Sequence, residues 1–345
     1  YIVYTGKTDM ASINDYIRMY HHAILLGITT LTSLDTANAL ADSIASRFNE
    51  DNTELVDINH LRREKTKLSF LKMQSCGNDY IFFDNMDGRI TCPESLAINF
   101  VDRHYGIGGD GITLIEKSDV ADAKMRIFNK DGSEGAMAGN SIRCVAKYLY
   151  DNGFVKDKTV RIETLSGVKE MALFTFNGKV SSVSVDMGKA VLNGKEIPST
   201  LEGDTVVGRE IEVGGQKYSV TLVNVGNPHC VVFCDKVDAV DLSNVGPMFE
   251  NAPYFPERIN AEFVRVVNDR TLKMRVWERG NGETLACGTG AAASVVAAVL
   301  NGYCRRDEDV TVKLRGGDLI ARYNSDGTVT LTGNAKLVFE GTIEY

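Results

Sequence analysis

A cysteine set in a tight turn at the mouth of a helix is the residue in this chain best suited to moving a proton. Cys287 stands in Ala286-Cys287-Gly288-Thr289-Gly290-Ala291, after Gly282-Glu283-Thr284 and before an apolar run that reads as a helix over Gly290 to Leu300. Free backbone N–H groups and the positive end of a helix dipole favour a thiolate, so this setting predicts a thiol shifted towards reactivity at neutral pH. The same amides can hold a carboxylate. At a separation of 149 residues the setting recurs as Met137-Ala138-Gly139-Asn140-Ser141-Ile142, but Ala138 stands where the thiol would be.

The separation belongs to a repeat. Lys124-Met125-Arg126-Ile127-Phe128 returns as Lys273-Met274-Arg275-Val276-Trp277, Gly77-Asn78 as Gly226-Asn227, Asn129 as Glu278 and Glu134 as Glu283. No insertion is needed, which predicts two homologous halves related by a pseudo-dyad, with a ligand in the cleft between them. Two facing helix mouths suit the inversion of a carbon that bears hydrogen. A base must take the proton from one face while an acid returns one to the other, and a thiolate and a thiol can exchange those duties. Asn227-Pro228-His229 brings an imidazole towards this cleft, and Asn129, Glu278 and Arg279 follow strands that lead to the helix starts. Alone, each is a turn former or a surface charge; at matched offsets they read as a grip on amino and carboxylate groups.

Other reactive types read as structural. Cys144 lies within the first helix, and Cys230 and Cys234 flank Val-Val-Phe. No CxxC or HxxxH spacing supports a metal at His229, Cys230 and Cys234, so no metal is expected. Gly106-Ile107-Gly108-Gly109-Asp110-Gly111 lacks the leading strand and following long helix of a nucleotide loop and reads as a turn near the substrate.

The elements that must position these residues fall into two regions. Tyr1 to Tyr4 reads as a strand, Asn14 to Leu26 as a helix, Ile28 to Thr32 as a strand and Leu34 to Phe48 as a helix, before a charged linker, Asn49 to Lys67, containing Arg62-Arg63-Glu64-Lys65. From Leu68 the texture is short β-branched and aromatic runs broken by glycine, interrupted by two long helices, Asn140 to Asp151 and Gly290 to Leu300. Both stop at Asn-Gly, suiting a left-handed C-cap. The expected fold is α+β: two pseudo-symmetric, mostly β halves, each wrapped around a central helix. The expected division is 1–67, then 68–185 with 334–345, then 186–333.

A chain of 345 residues accommodates two or three domains. Its net charge of −8 argues against nucleic acid, which needs a basic surface. No apolar run approaches the roughly 18 residues of a membrane span, and no signal peptide opens the chain. Seven cysteines, an odd number in apolar contexts, suggest reduced thiols in a cytoplasm. The chain opens on Tyr1, so a preceding segment is expected.

Several motifs in order resemble the diaminopimelate epimerase family over residues 68–345. They are Gly77-Asn78-Asp79-Tyr80, Asp102-Arg103-His104-Tyr105-Gly106-Ile107-Gly108, Arg126-Ile127-Phe128-Asn129, Asp131-Gly132-Ser133-Glu134, Gly226-Asn227-Pro228-His229-Cys230-Val231, Glu278-Arg279-Gly280 and Ala286-Cys287-Gly288-Thr289-Gly290. The resemblance implies interconversion of LL- and meso-diaminopimelate without a cofactor, serving lysine and peptidoglycan synthesis, in a homodimer. It implies two catalytic cysteines. Cys287 matches one, Ala138 occupies the position of the other, and Cys144, six residues on, is too far along the helix to substitute. His229 and Glu278 join the catalytic group. Asn78, Asn129, Gly139, Asn140, Asn227, Asn260, Glu278, Arg279, Gly288 and Thr289 are the implied substrate contacts; Gly111 stands where some members carry glutamine. The intact motif around Ala138 is the pattern of a Cys→Ala change introduced at one position. The segment Ile28-Thr29-Thr30-Leu31-Thr32-Ser33-Leu34-Asp35-Thr36-Ala37-Asn38-Ala39-Leu40-Ala41 is similar to the end of the methylglyoxal-synthase-like regulatory domain of the carbamoyl-phosphate synthase large chain. Two other readings remain: a non-catalytic ligand-binding or regulatory protein on this fold, and a cysteine hydrolase pairing Cys287 with His229.

Overall fold

The computed structural model describes residues 2–3, 10–31, 34–45, 67–194 and 196–345. The charged linker expected before Lys67 lies outside them. The chain divides into two compact units, Tyr1–Lys65 and Thr66–Tyr345.

In the first unit, β1 (Ile2–Val3) pairs in parallel with β2 (Thr30–Leu31), and α1 (Met10–Leu25) connects them. Gly27 at φ +63 ends α1, and α2 (Leu34–Ala45) follows. The order is the one read from the sequence. The second strand begins at Thr30 and not at Ile28, and α1 begins before Asn14; Thr32 lies outside the described residues.

The second unit starts with β3 (Lys67–Ser75), β4 (Asn78–Asp84), α3 (Pro93–Phe100), β5 (Gly111–Glu116), β6 (Ala123–Asn129), β7 (Glu134–Gly135), α4 (Gly139–Asp151), β8 (Thr159–Thr164), β9 (Gly167–Phe176) and β10 (Lys179–Lys189). It continues through β11 (Arg209–Val213), β12 (Gln216–Asn224), β13 (Pro228–Phe233), α5 (Leu242–Glu250), β14 (Asn260–Asn268), β15 (Thr271–Glu278), β16 (Gly282–Glu283), α6 (Gly288–Leu300), β17 (Val310–Leu314), β18 (Gly317–Tyr323), β19 (Thr328–Asn334) and β20 (Lys336–Glu344). Strands β3 and β12, and helices α4 and α6, repeat with identical bounds at the separation seen in the sequence. Helices α3 and α5 also correspond. Being short and carrying Pro93 and Pro247, they give no sustained helical period to read.

The pairings form one run: β20, β3, β4, β5, β6, β8, β9, β10 for the first half, and β11, β12, β13, β14, β15, β17, β18, β19 for the second. The halves join where β10 and β19 pair antiparallel, Ser182 opposite Asn334 and Asp186 opposite Thr330. The pseudo-dyad runs through this junction. Each sheet curls around its helix. Helix α6 carries apolar or small residues all round and is buried from Gly290 to Ala298, as a helix enclosed on every side must be. Helix α4 buries Ile142, Val145 and Leu149 against Met125, Ile162 and Val183.

Both helices end as their sequences predict. Asn152 and Asn301 turn their side-chain amides back to the carbonyls of Tyr148 and Ala297, and Gly153 and Gly302 take φ +78 and +76. The halves also meet at the β3–β4 turn. Cys76 there packs into the second half's core, and a Cβ on Gly316 would fall 1.9 Å from the Cys76 carbonyl oxygen. Only glycine permits that approach.

Candidate active site

Two matching clamps aim the two helix mouths. Arg126 on β6 donates to Glu134 of β7 through Nε at 2.7 Å and Nη2 at 2.9 Å. Arg275 on β15 grips Glu283 of β16 in the same bidentate way, at 2.8 and 3.1 Å. Each clamp pins the short strand that feeds a helix start, and paired N–H donors fix direction as well as distance. Ala138 and Cys287 are consequently the N-cap residues of α4 and α6, with nearly equal backbones: φ −130, ψ 119 against φ −123, ψ 115. Cys287 Sγ accepts from Gly290 N–H at 3.3 Å and lies 3.4 Å from Thr289 Oγ1. The methyl of Ala138 can do neither.

In the first half Asn140, in the opening turn of α4, donates from Nδ2 to Asn78 Oδ1 at 3.2 Å. Asn78 donates in turn to Asp110 Oδ2 at 2.6 Å. Arg143, one turn further along α4 and wholly buried, donates to Asn140 Oδ1 and to Ser75 Oγ. A Cβ on Gly139 would meet nothing within 4 Å, so this helix mouth faces open space. A Cβ on Gly111 would fall 2.5 Å from the Phe128 carbonyl oxygen, so the backbone here accepts no side chain.

In the second half His229 is fully buried. Its Nδ1 lies 2.6 Å from Glu262 Oε1 and its Nε2 2.9 Å from Asn227 Oδ1. Both ring nitrogens are engaged, and Cys287 hydrogen-bonds to neither. Asn260 donates to the Pro228 carbonyl at 2.7 Å and accepts from Arg279 N–H at 2.9 Å, fixing the turn after β15. Glu250 of α5 reinforces that turn, accepting from Trp277 Nε1 at 2.7 Å and Gly280 N–H at 2.9 Å. Glu278 accepts from Thr284 Oγ1. The Asn129 side chain donates across its own turn to Ser133 Oγ at 3.0 Å and is exposed.

The electrostatics correct one expectation. The helix mouth does not make Cys287 a ready thiolate: burial, followed by the charges of Glu278 and Glu262, pushes its thiol well up, against the pull of Thr289 and Gly290. A desolvated anion beside two carboxylates costs more than one N–H group and a helix dipole return. Glu262 is itself pushed up by burial, partly offset by His229. Tyr80 rises to about 12, through burial, then Asp110, with Glu278 contributing. The Glu278 charge is thus felt at Tyr80 in the first half and at Cys287 in the second. Arg143, Asp110, Glu262 and Thr284 had no role in the sequence reading. Most of their partners lie tens of residues away or across a turn, where no local pattern announces them.

Two half-sheets wrapped around facing helices, with matched polar groups at the helix mouths, make a fold that recurs in solved structures. The same fold is found in a hydroxyproline epimerase from Agrobacterium vitis, with TM-score 0.56 and 15% identity over 82% of this chain and 93% of that one. A probable proline racemase from Agrobacterium radiobacter is similar, with TM-score 0.57 and 16% identity over 80% and 92%. The family model for diaminopimelate epimerase matches residues 70–193 and 221–338. The diaminopimelate epimerases of Acetivibrio thermocellus and Methanococcus maripaludis are each 48% identical over 278 residues, covering 80% of this chain and 99% and 100% of theirs. The chain belongs to the diaminopimelate epimerase family and is an isomerase.

Proposed function

We propose that this chain is built to interconvert LL- and meso-diaminopimelate by two-base proton transfer without a cofactor, and that Ala138 removes one of the two proton carriers. The observation that carries this reading is the equivalence of two N-cap residues with matching backbones, one bearing a thiol and the other a methyl. In the complete reaction, a thiolate takes the α-proton from one face and the electron pair stays on the α-carbon, conjugated with the carboxylate. The opposite thiol then delivers its proton and becomes the new thiolate. Cys287 can serve one face alone. A proton removed there returns to the same face, giving exchange with solvent and no inversion.

Asn78, Asn129, Gly139, Asn140, Asn227, Asn260, Glu278, Arg279, Gly288 and Thr289 are the proposed substrate contacts. His229 and Glu278 act beside Cys287 by holding and polarising rather than by carrying the inverting proton. Loss of one acid or base lowers turnover by roughly 10²–10⁴-fold. The test compares the chain as given with Ala138→Cys for epimerisation and for deuterium uptake from D₂O. Restored epimerisation is expected. Absence of diaminopimelate binding in both forms would refute the reading; binding without turnover after restoration would favour a non-catalytic ligand-binding protein, the reading that the missing thiol itself suggests.

The halves are assigned as 68–185 with 334–345, and 186–333, supported by the pairing of β20 with β3. A homodimer is supported by the exposure of Leu337, Val338 and Phe339 on β20, an apolar run at a sheet edge. Among the described residues no helix is long and apolar enough to cross a membrane, and reduced thiols favour a cytoplasmic location. Residues 1–67 are proposed to be the tail of a methylglyoxal-synthase-like domain, supported by the order β1, α1, β2, α2 with parallel strands.

A further inference from the structure

We propose that Arg143 and Asp110 in the first half, and Glu262 in the second, are positioning residues that fix the side-chain amides of Asn78 and Asn227, so that both present N–H groups to a substrate carboxylate. The inference rests on the substrate reading above.

In the first half the polarity is dictated from both ends. A guanidinium can only donate, and Arg143 is wholly buried against Asn140 Oδ1 and Ser75 Oγ. Ser75 spends its own hydrogen on the Asn334 carbonyl at 2.6 Å, so its oxygen is left to accept. With Oδ1 taken, Asn140 must turn Nδ2 to Asn78, and Asn78 must turn Nδ2 to Asp110. An ionised carboxylate only accepts, and Asp110 is tied by Arg103 Nη2 at 2.9 Å on its other oxygen. Amide oxygen and nitrogen are nearly alike in shape, so orientation has to be set by partners. Here a donor-only end and an acceptor-only end demand the same answer.

The second half cannot build that relay. At the positions matching Arg143, Asn140 and Asp110 stand Ala292, Thr289 and Ile259. His229 replaces it: an amide oxygen only accepts, so Nε2 carries the hydrogen shared with Asn227 Oδ1, and Glu262 supplies the second hydrogen, shared between its Oε1 and Nδ1, that lets Nε2 keep its own. Different residues therefore reach one result, an asparagine whose oxygen faces inward to a donor and whose N–H remains for the ligand. Arg143 Nη1 and Glu262 Oε2 are both buried with no hydrogen-bond partner among the described residues. A group kept only for packing would be cheaper as an apolar side chain.

The experiment follows the side-chain amides of ¹⁵N-asparagine-labelled protein, together with calorimetric binding of meso-diaminopimelate. Asp110→Asn alone leaves Arg143 in command, and the amide signals and Kd should change by less than about threefold. Asp110→Asn with Arg143→Gln frees both ends; hydrogen exchange at the Asn78 and Asn140 amides should accelerate and binding weaken by roughly 10–100-fold. Arg143→Lys with Asp110→Asn, which keeps a donor-only end, should restore both. Glu262→Gln is the isosteric arm for the second half: without the shared proton, its amide oxygen can take the ring's single hydrogen at Nδ1, leaving Nε2 bare and Asn227 free to turn over, weakening binding about tenfold. This arm still decides the proposal if the buried Arg143→Gln does not fold. Unchanged amide signals and affinity in Glu262→Gln and in the double variant would overturn it. If the unsubstituted chain binds no diaminopimelate, the substrate reading fails, and the amide signals alone test the relay.

Discussion

At the scale of single residues, chemistry at the two helix mouths is decided by surroundings more than by residue type. Cys287 has the local sequence of an activated cysteine, yet its sulfur is buried beside Glu278 and Glu262 and its thiol is held up. The sign gives a prediction. A raised thiol is protonated at neutral pH, so alkylation of Cys287 by iodoacetamide should still be rising beyond pH 9, after exposed Cys92 has reacted. Glu278→Gln removes one of the charges that raise it and should speed Cys287 labelling several-fold at pH 8, followed by peptide mass spectrometry. Labelling of Cys287 ahead of Cys92 at neutral pH would contradict this environment. The positions of Cys287, Ala138, Asn140 and His229 were legible, because short motifs fix them. The thiol's protonation was not, because Glu262 enters from β14 across the fold and no local pattern announces it.

At the scale of elements, the loop between α3 and β5 shows how a segment without regular structure is held beside the site. Asp79, at the start of β4, accepts from Arg103 Nη1 at 3.0 Å and Nη2 at 2.6 Å and pairs with buried Lys72 at 2.5 Å. Burial alone would raise its carboxyl, but these partners outweigh it and the net shift is downward. Asp102 is held at about 2, through Lys130 and the N–H groups of His104 and Tyr105. A depressed carboxyl contributes stability that is complete above its unfolded value, near 4, and is lost as pH falls through the folded value. The midpoint of thermal unfolding should therefore drop steeply below about pH 4. Asp79→Asn should lose about 1–3 kcal/mol at pH 7 and show a shallower decline; an unaltered pH profile would remove Asp79 as the anchor. The sequence revealed long α4 and α6 and their Asn-Gly stops. It did not reveal α3, α5 or the two-residue strands β7 and β16, whose existence depends on the Arg–Glu clamps and not on propensity.

At the scale of the whole molecule, the repeat made the two-half architecture legible, since one constant offset spans strands and helices alike. The edge of the first half is made by β20, residues 336–344, which pairs with β3 across the whole second half. That edge also bears on assembly: the apolar run on β20 is the proposed dimer surface, and Val338→Glu should give a monomer by sedimentation equilibrium. A chain beginning at Thr66 should remain a dimer. Loss of the dimer on removing the first unit, with Val338→Glu unaffected, would move the contact to that unit. The pairing of β20 with β3 has a further consequence in the order of synthesis. Strands β11 to β19, the whole second half, emerge as one continuous segment, whereas β3 must wait for β20 before its free edge, with Phe70 against Phe339, is closed. A premature stop after Ala335 would spare every proposed catalytic and substrate-binding residue and still leave the opening strand of the fold unsealed. The residues of β20 are thus as much a part of the first half as its helix, although the whole second half separates them from it.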